Sequence, residues 1–344
     1  MKVVVTEPIA NVEVAEVQGD TLHLGGWVVN RTFPLSHVEL WLNGCPLADD
    51  VALFDRADVL ATLCPEIPHT IRSGFDVTRR LDRAAWFDGA NRLDILTRHG
   101  AEERGAVTLV LRDLSKEPEH FPMPTQILRV HVGGERDNFL STGWRIFGDL
   151  SRELGRFGGW PAFDRILDWG CGCGRVLRYI LEAVPASRVF GCDIDREAVE
   201  WLARSATGSS FAVTRPEPPT SYPEDHFDLV YGISILTHLA EGMQDKWLQE
   251  IARIAKRSGV VMVTVHGPEL APRGLHRRLK KKGYAEQRSN QASFFAPYAN
   301  AEYYRTAFHT PEYVERHWAA WFDLLEYVPR GVNMHQDLVI MRKR

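Results

Sequence analysis

The 344-residue chain has no apolar run approaching the 18 or more residues of a membrane span. Its first residues, Met1-Lys2-Val3-Val4-Val5-Thr6-Glu7, hold no long apolar stretch before a small-residue cleavage site, so no signal peptide is expected. Cysteine is scarce: five residues, an odd number without framework spacing, which points to a reducing, cytoplasmic setting. Cys171 and Cys173 alternate with glycines, but no second cysteine pair or nearby histidine completes a zinc set. Nor does any H-x-x-x-H spacing occur, so no metal is expected. An excess of positive charge is also missing: the net charge is −4, which argues against a generic nucleic-acid binder. Repeats and low-complexity tracts are absent, and tyrosine does not occur before position 179. What is present is ordinary globular material, 44% apolar and 25% charged, in a chain long enough for two domains.

Against that background one stretch stands out. Ile166-Leu167-Asp168-Trp169-Gly170-Cys171-Gly172-Cys173-Gly174-Arg175 reads as an apolar strand ending on a carboxylate, then a turn through three alternating glycines into a helix from Val176 to Ala183. Glycine lets the backbone turn tightly and approach a ligand, and the following helix N-terminus favours an anionic group. The dinucleotide fingerprint G-x-G-x-x-G has a different spacing. A carboxylate directly before the glycines suits a ligand with a positive amino group as well as a carboxylate, such as S-adenosylmethionine. A second short strand, Ser187 to Asp195, places Asp193 near where a ribose-binding acid falls in doubly wound nucleotide sites. Asp225-His226-Phe227-Asp228-Leu229-Val230-Tyr231-Gly232-Ile233-Ser234 reads as a later strand.

Together, Asp168-x-Gly-x-Gly-x-Gly174, Gly191-x-Asp193 and Phe227-Asp228-Leu229-Val230 resemble the class I S-adenosylmethionine-dependent methyltransferases over residues 136–344. The resemblance implies S-adenosylmethionine as cofactor, held by Asp168, Gly170, Gly172, Gly174, Asp193, Ile194, Ile233 and Ser234. It also implies an acid reading the adenine amino group after the third strand, where Glu217 is the only candidate. Ile194 would wall the adenine.

The alternation of strand and helix predicts an α/β fold, a Rossmann-like seven-stranded domain. Strands are expected near 164–168, 188–193, 210–214, 226–231, 259–265, 322–328 and 336–342, with helices at 195–206, 243–256 and 310–320. A helix over 137–157, with Phe139, Ile146, Phe147, Leu150 and Leu154 at helical spacing, would cover the cofactor pocket. Residues 266–309 are a lid insertion at the carboxyl edge, where ligands bind, and its Tyr303 and Tyr304 are the best-placed substrate-binding tyrosines.

Residues 1–112 read as a small β-sandwich built from short strands around 22–29, 38–44, 91–97 and 107–111. Asp55-Arg56-Ala57-Asp58-Val59-Leu60 and Ser73-Gly74-Phe75 resemble immunoglobulin-like accessory modules of bacterial surface-glycan synthesis enzymes, which implies a docking role. Residues 113–135, with Pro118, Pro122 and Pro124, are the expected linker.

Methylating an alcohol calls for a general base with a pKa near neutrality, and histidine fits best. His238 after the fourth strand, His266 after the fifth and His335 in the last hairpin turn should share the rim of one pocket, with His238 first in order. His309, before Thr310-Pro311-Glu312, looks like a helix-start residue. The expected acceptor is a hydroxyl on a small molecule or sugar. A non-catalytic cofactor-binding scaffold of a glycan-synthesis complex, and sulfonium chemistry other than methyl transfer, stay open as alternatives. One basic cluster, Arg273, Arg277, Arg278, Lys280, Lys281, Lys282 and Arg288, suits a solvated helix face, a phosphate-bearing acceptor or peripheral contact with an anionic membrane surface. The oligomeric state is not legible.

Overall fold

In the first hundred residues, apolar positions alternate with polar ones over strand lengths, and the chain answers with two antiparallel-rich sheets. The computed structural model describes residues 4–6, 8–63, 67, 69–81, 90–100, 103–112, 121–133, 136–289 and 305–344. Two compact units result, Met1–Lys116 and Glu117–Arg344. The first contains β1 (Val4–Thr6), β2 (Ile9–Gln18), β3 (Thr21–Val29), β4 (His37–Leu42), β5 (Cys45–Ala48), β6 (Leu53–Asp55), β7 (Arg72–Arg80), β8 (Ala90–His99) and β9 (Glu103–Arg112). One sheet has the order β1-β9-β8-β4-β5 and the other β2-β3-β7-β6. A single core cluster draws Leu40, Leu42, Leu93 and Ile95 from the first sheet and Leu22, Leu24, Phe75 and Val77 from the second.

The two short motifs of this unit have local physical roles. Arg56 precedes α1 (Ala57–Leu63) and donates to both carboxylate oxygens of Glu13 at 2.9 Å while also pairing Asp58, so it ties β2 to the helix start. A Cβ at Gly74 would lie 2.6 Å from Phe54 Cζ, so β6 and β7 pair there only because residue 74 is glycine.

The second unit opens with α2 (Gln126–Gly133) and α3 (Arg136–Leu154). Seven strands follow: β10 (Ile166–Trp169), β11 (Val189–Asp193), β12 (Ser210–Val213), β13 (Phe227–Gly232), β14 (Ala255–Val265), β17 (Phe322–Val332) and β18 (Gln336–Lys343), with the β15–β16 pair described below lying between the last three. Their order is β12-β11-β10-β13-β14-β18-β17. The pairs from β12 to β14 are parallel, whereas β18 runs antiparallel to both β14 and β17. All seven predicted strands are present. Consecutive residues alternate between two cores: Ile166, Leu229, Val260 and Met262 face one, Leu167, Val230, Val261 and Val263 the other. A sheet covered on both faces explains why these strands read as unbroken apolar runs.

The helices supply the covers. The buried stripe Phe139, Ile146, Leu150 and Leu154 of α3 closes one face, as its spacing predicts. On the same side lie α4 (Leu177–Ala183) and α5 (Arg196–Ser205); the opposite core receives Trp247, Leu248, Ile251 and Ile254 of α6 (Glu241–Ile254). The insertion after β14 forms α7 (His276–Lys282) and the antiparallel pair β15 (Tyr284–Arg288) and β16 (Arg305–His309), before α8 (Pro311–His317). Thr310 caps α8 by accepting from the Tyr313 amide, with Pro311 at the first helical position. Tyr303 and Tyr304 lie outside the described residues.

The linker reading fails for residues 121–133. Phe121 is buried in the core of the second unit, and the fully buried Arg178 of α4 donates to the Phe121 carbonyl at 2.8 Å and the Pro122 carbonyl at 3.3 Å. The Arg178 guanidinium also lies over the Phe121 and Phe139 rings at 5.2 and 5.7 Å. Proline content suggested a spacer, but a cation buried 57 residues away in sequence fixes the segment in place.

A fragment comprising residues 117–344 should fold and melt cooperatively, because its cores are its own. A fragment beginning at residue 136 takes two carbonyl partners from a buried cation and should be less stable by about 2–3 kcal/mol. Denaturant titration of the two fragments checks this; equal stability would show that residues 121–133 are a tether after all.

Candidate active site

The three glycines turn as their spacing requires, each at positive φ: Gly170 at 81°, Gly172 at 49° and Gly174 at 79°. Their reasons differ. A Cβ at Gly170 would overlap Ile235 Cδ1, and one at Gly174 would sit 2.8 Å from Leu202 Cδ2 and 3.2 Å from Phe121 Cζ. Gly170 and Gly172 line a cavity of about 750 Å³ at the carboxyl ends of the strands; Gly174 does not line it and is glycine for packing. α3 approaches the same turn closely, because a side chain at Gly143 would overlap the Arg175 carbonyl.

Asp168 and Asp193 end adjacent strands and both line the cavity. Burial pushes the Asp168 carboxyl up to about 7, the Tyr231 hydroxyl opposing the shift and the nearby Asp193 charge adding to it. Asp193 is also raised by burial, against the backbone N–H groups that hold it. The Gly172 amide donates to Asp193 Oδ2 at 2.7 Å and the Asp195 amide to Oδ1 at 2.9 Å. Asp193 therefore braces the glycine turn, a role the spacing did not suggest, and each oxygen keeps lone-pair capacity for a ligand hydroxyl. Ile194, Thr214, Pro216, Leu239 and Trp247 form the apolar end of the cavity. Glu217 is not part of it: its carboxylate pairs with Lys246 at 3.1 Å.

Ile233 and Ser234 also line the cavity. Ser234 sits at φ 64°, its amide donating to Thr264 Oγ1 at 2.7 Å and its hydroxyl accepting from Gln336 Nε2 at 2.8 Å. Left-handed backbone at a non-glycine residue carries strain, and it persists here because the neighbouring strands hold it.

His238, His266 and His335 all line this one cavity. The hairpin from β17 to β18 turns at the carboxyl edge, with Val265 opposite Asp337, and so brings His335 to His266 with ring centroids 5.9 Å apart. Burial lowers His238 and His266 to about 4, the neighbouring His238 and His335 adding to the shift on His266. His335 is lowered by burial and by Arg330. All three imidazoles are thus neutral at physiological pH, able to accept a proton but weakly basic.

His309 is fully buried and away from the cavity. Its Nε2 lies 2.8 Å from Gln244 Oε1, and Gln244 Nε2 donates to the Leu236 and Leu239 carbonyls at 2.8 and 2.9 Å. With both amide protons so used, Gln244 accepts from His309, and the pair fixes the short helix Leu236–His238 that carries His238. Pattern reading missed Gln244 and Gln336, because nothing local marks a glutamine whose partners lie 65 and 102 residues away.

The insertion contributes Leu270, Pro272, Gln287, Ser289, Thr306 and Phe308 to the lining. From α2, Leu128 contributes as well, its carbonyl accepting from Cys173 Sγ at 3.3 Å. Burial raises Cys171, Cys173 and Cys192 far above the usual thiol range, so none is a nucleophile at neutral pH. Among the described residues, no three His, Cys, Asp or Glu side chains gather as a metal site.

Gly170→Ala should lower the melting temperature, since it forces Ile235 to move and places an L residue at positive φ, a strain of about 1–3 kcal/mol. Gly148→Ala, in the interior of α3 with open space around it, should raise stability by about 0.5–1 kcal/mol. Thermal unfolding of both variants checks the pair; a stabilising Gly170→Ala would contradict the turn geometry.

Comparison with known proteins follows the same lines. Residues 166–259 match the family model of a methyltransferase domain. A tRNA (carboxymethyluridine(34)-5-O)-methyltransferase of Arabidopsis thaliana is 30% identical over 110 residues, which are 32% of this chain and 26% of that protein. The chain thus spans about a quarter of the length of this relative. Among solved structures, the magnesium protoporphyrin IX methyltransferase of Synechocystis with bound S-adenosylhomocysteine is 15% identical, with a TM-score of 0.43 over 64% of this chain and 93% of its own. An S-adenosylmethionine-dependent methyltransferase of Mesorhizobium loti is 17% identical, with a TM-score of 0.38 over 52% of this chain and 90% of its own. With the glycine turn in place at its start, residues 166–259 are an S-adenosylmethionine-dependent methyltransferase domain.

Proposed function

We propose that the protein methylates a hydroxyl on a small molecule or sugar, with S-adenosylmethionine as donor. The carrying observation is the cavity itself: the buried Asp168, the half-buried Asp193 and the glycine turn at one end, and His238, His266, His335 and Gln336 at the other. The residues present fit the cofactor. A buried carboxyl raised to about 7 is matched to a cationic amino group, and the backbone of Gly170 and Gly172 lines the cavity beside it with no side chain between. S-adenosylmethionine, when bound, supplies a methyl group made electrophilic by its sulfonium.

The chain's own residues do the rest. Asp168 would hold the amino group, Asp193 the ribose hydroxyls, Ile194 the adenine face, and Ile233 and Ser234 the wall beside them. His238 would accept the acceptor's hydroxyl proton at a ring nitrogen, with Gln244 and His309 holding its loop still. His266 and His335 stand beside it in the same uncharged region. Tyr303 and Tyr304 stay candidates for acceptor contact. Positioning supplies most of the rate enhancement and the base a further factor.

The N-terminal unit is read as a β-sandwich accessory module that docks the enzyme to its partners, and the chain as cytoplasmic from its cysteine usage. Among the described residues no helix is long and apolar enough to cross a membrane. The tRNA acceptor named for the plant relative is not carried over, because the match spans a quarter of that protein.

Two variants test the reading with a panel of hydroxyl acceptors and release of S-adenosylhomocysteine as readout. Asp168→Asn should weaken cofactor binding by about tenfold or more, the size of a lost charge-assisted hydrogen bond. His238→Ala should leave cofactor affinity intact and lower kcat by about 10²-fold, the low end for a general base because the imidazole is weakly basic. Wild-type kcat should fall only as the pH drops through about 4, where His238 becomes protonated and cannot accept a proton. A His238→Ala variant of full activity, or an acid limb near pH 6.5, would remove His238 from the mechanism. Tight cofactor binding without turnover on any acceptor would leave the scaffold reading.

A further inference from the structure

The deep part of the cavity is uncharged apart from its cofactor end. Asp168, Asp193 and Asp195 sit there with one buried cation, Arg175, whose guanidinium pKa is lowered by burial. Among the described residues the acceptor end is lined by His238, His266, His335, Gln336, Gln287, Ser289, Thr306 and apolar side chains, with no Lys or Arg. An anionic group placed there would meet no countercharge, whereas a hydroxyl-bearing neutral group would meet several hydrogen-bonding partners. At about 750 Å³ the cavity accommodates the cofactor and a small portion of an acceptor. The remainder of a larger acceptor must lie outside, against the rim.

That rim is strongly cationic. Pro272 and Gln287 line the cavity, and the chain between and beside them carries Arg273, Arg277, Arg278, Lys280, Lys281, Lys282 and Arg288, every one exposed. No acidic residue occurs between Glu269 and Glu286, and among the described residues none of the seven cations has a recorded ion pair. The charge is local. Residues 117–344 hold 29 Lys and Arg against 28 Asp and Glu, so outside residues 273–288 acids exceed bases by five. The seven residues of α7 span only about 10 Å along their axis. A long polyanion would extend past that length, while two or three phosphates would not.

We propose that α7 and its flanks form an anion-docking rim for the acceptor, which is a small molecule with a neutral hydroxyl-bearing head and a diphosphate-bearing tail, of the nucleoside-diphosphate-sugar type. The head enters the cavity and the tail lies along Arg273 to Arg288. This rests on the methyltransferase reading above and narrows its acceptor class. It also accounts for a neutral pocket directly beside a concentrated positive surface, two features that otherwise have no connection.

The test uses the full chain loaded with S-adenosylhomocysteine. Isothermal titration with pyrophosphate and with uridine diphosphate should show binding that weakens steeply with added salt. Arg277→Gln, Arg278→Gln and Lys281→Gln together should weaken both by about tenfold or more, as expected of several exposed charges acting together. S-adenosylhomocysteine affinity should not change, since none of the three lines the cofactor end. Uridine diphosphate that binds the triple variant as tightly as wild type would overturn the proposal. So would a single-stranded RNA oligomer, or vesicles rich in anionic phospholipid, binding the same surface more tightly than the diphosphate. Failure of S-adenosylhomocysteine to bind would instead overturn the methyltransferase reading itself, so the two failures are distinguishable.

Discussion

Setting a buried carboxylate, Asp168, beside the half-buried Asp193 at the ends of β10 and β11 is the constraint from which the site follows. Asp168 is buried and its carboxyl rises to about 7, so keeping it ionised at neutral pH costs about 4 kcal/mol relative to a carboxylate in water. Asp193 beside it is also raised by burial, and is offset in part by the Gly172 and Asp195 amides. Such an arrangement is unfavourable without a ligand and favourable with one that brings positive charge and hydroxyl donors. The glycine turn, the strap of residues 121–133 pinned by Arg178, and α3 passing close at Gly143 are what keep those carboxylates dry and in place.

The acceptor end is organised by a second constraint, the direction of β17. Because β17 runs with the sheet and β18 against it, their turn opens on the same edge as the loops after β13 and β14. Three histidines from separate parts of the chain meet there, and burial keeps them uncharged. The buried Gln244–His309 pair then holds the His238 loop, so a histidine outside the cavity positions one inside it.

Much of this was legible before any coordinates. The seven strands follow from apolar runs with turn residues between them, and the meeting of His238, His266 and His335 follows from topology alone. The requirement for glycine at 170 was legible as well. What sequence could not carry were terms set by distant neighbours. The basicity of His238 depends on how dry its surroundings are, and Asp193 serves the turn because Gly172 happens to present its amide. Proline marked residues 121–133 as linker, yet Arg178 binds them to the catalytic unit. Glu217, the only acid in the expected adenine position, is taken by Lys246. In the N-terminal unit β2 escaped notice because its residues are mostly half-buried and so lack clean alternation.

The central claim is that a protonated Asp168 becomes ionised when a cationic ligand arrives. Calorimetric titration of S-adenosylmethionine at pH 6, in two buffers of different ionisation enthalpy, counts the protons exchanged on binding. At that pH the Asp168 carboxyl is mostly protonated in the free protein and the ligand's amino group is already cationic, so binding should release about one proton, and none at the same pH in Asp168→Asn. Binding of equal strength with no proton release at pH 6 would contradict the account.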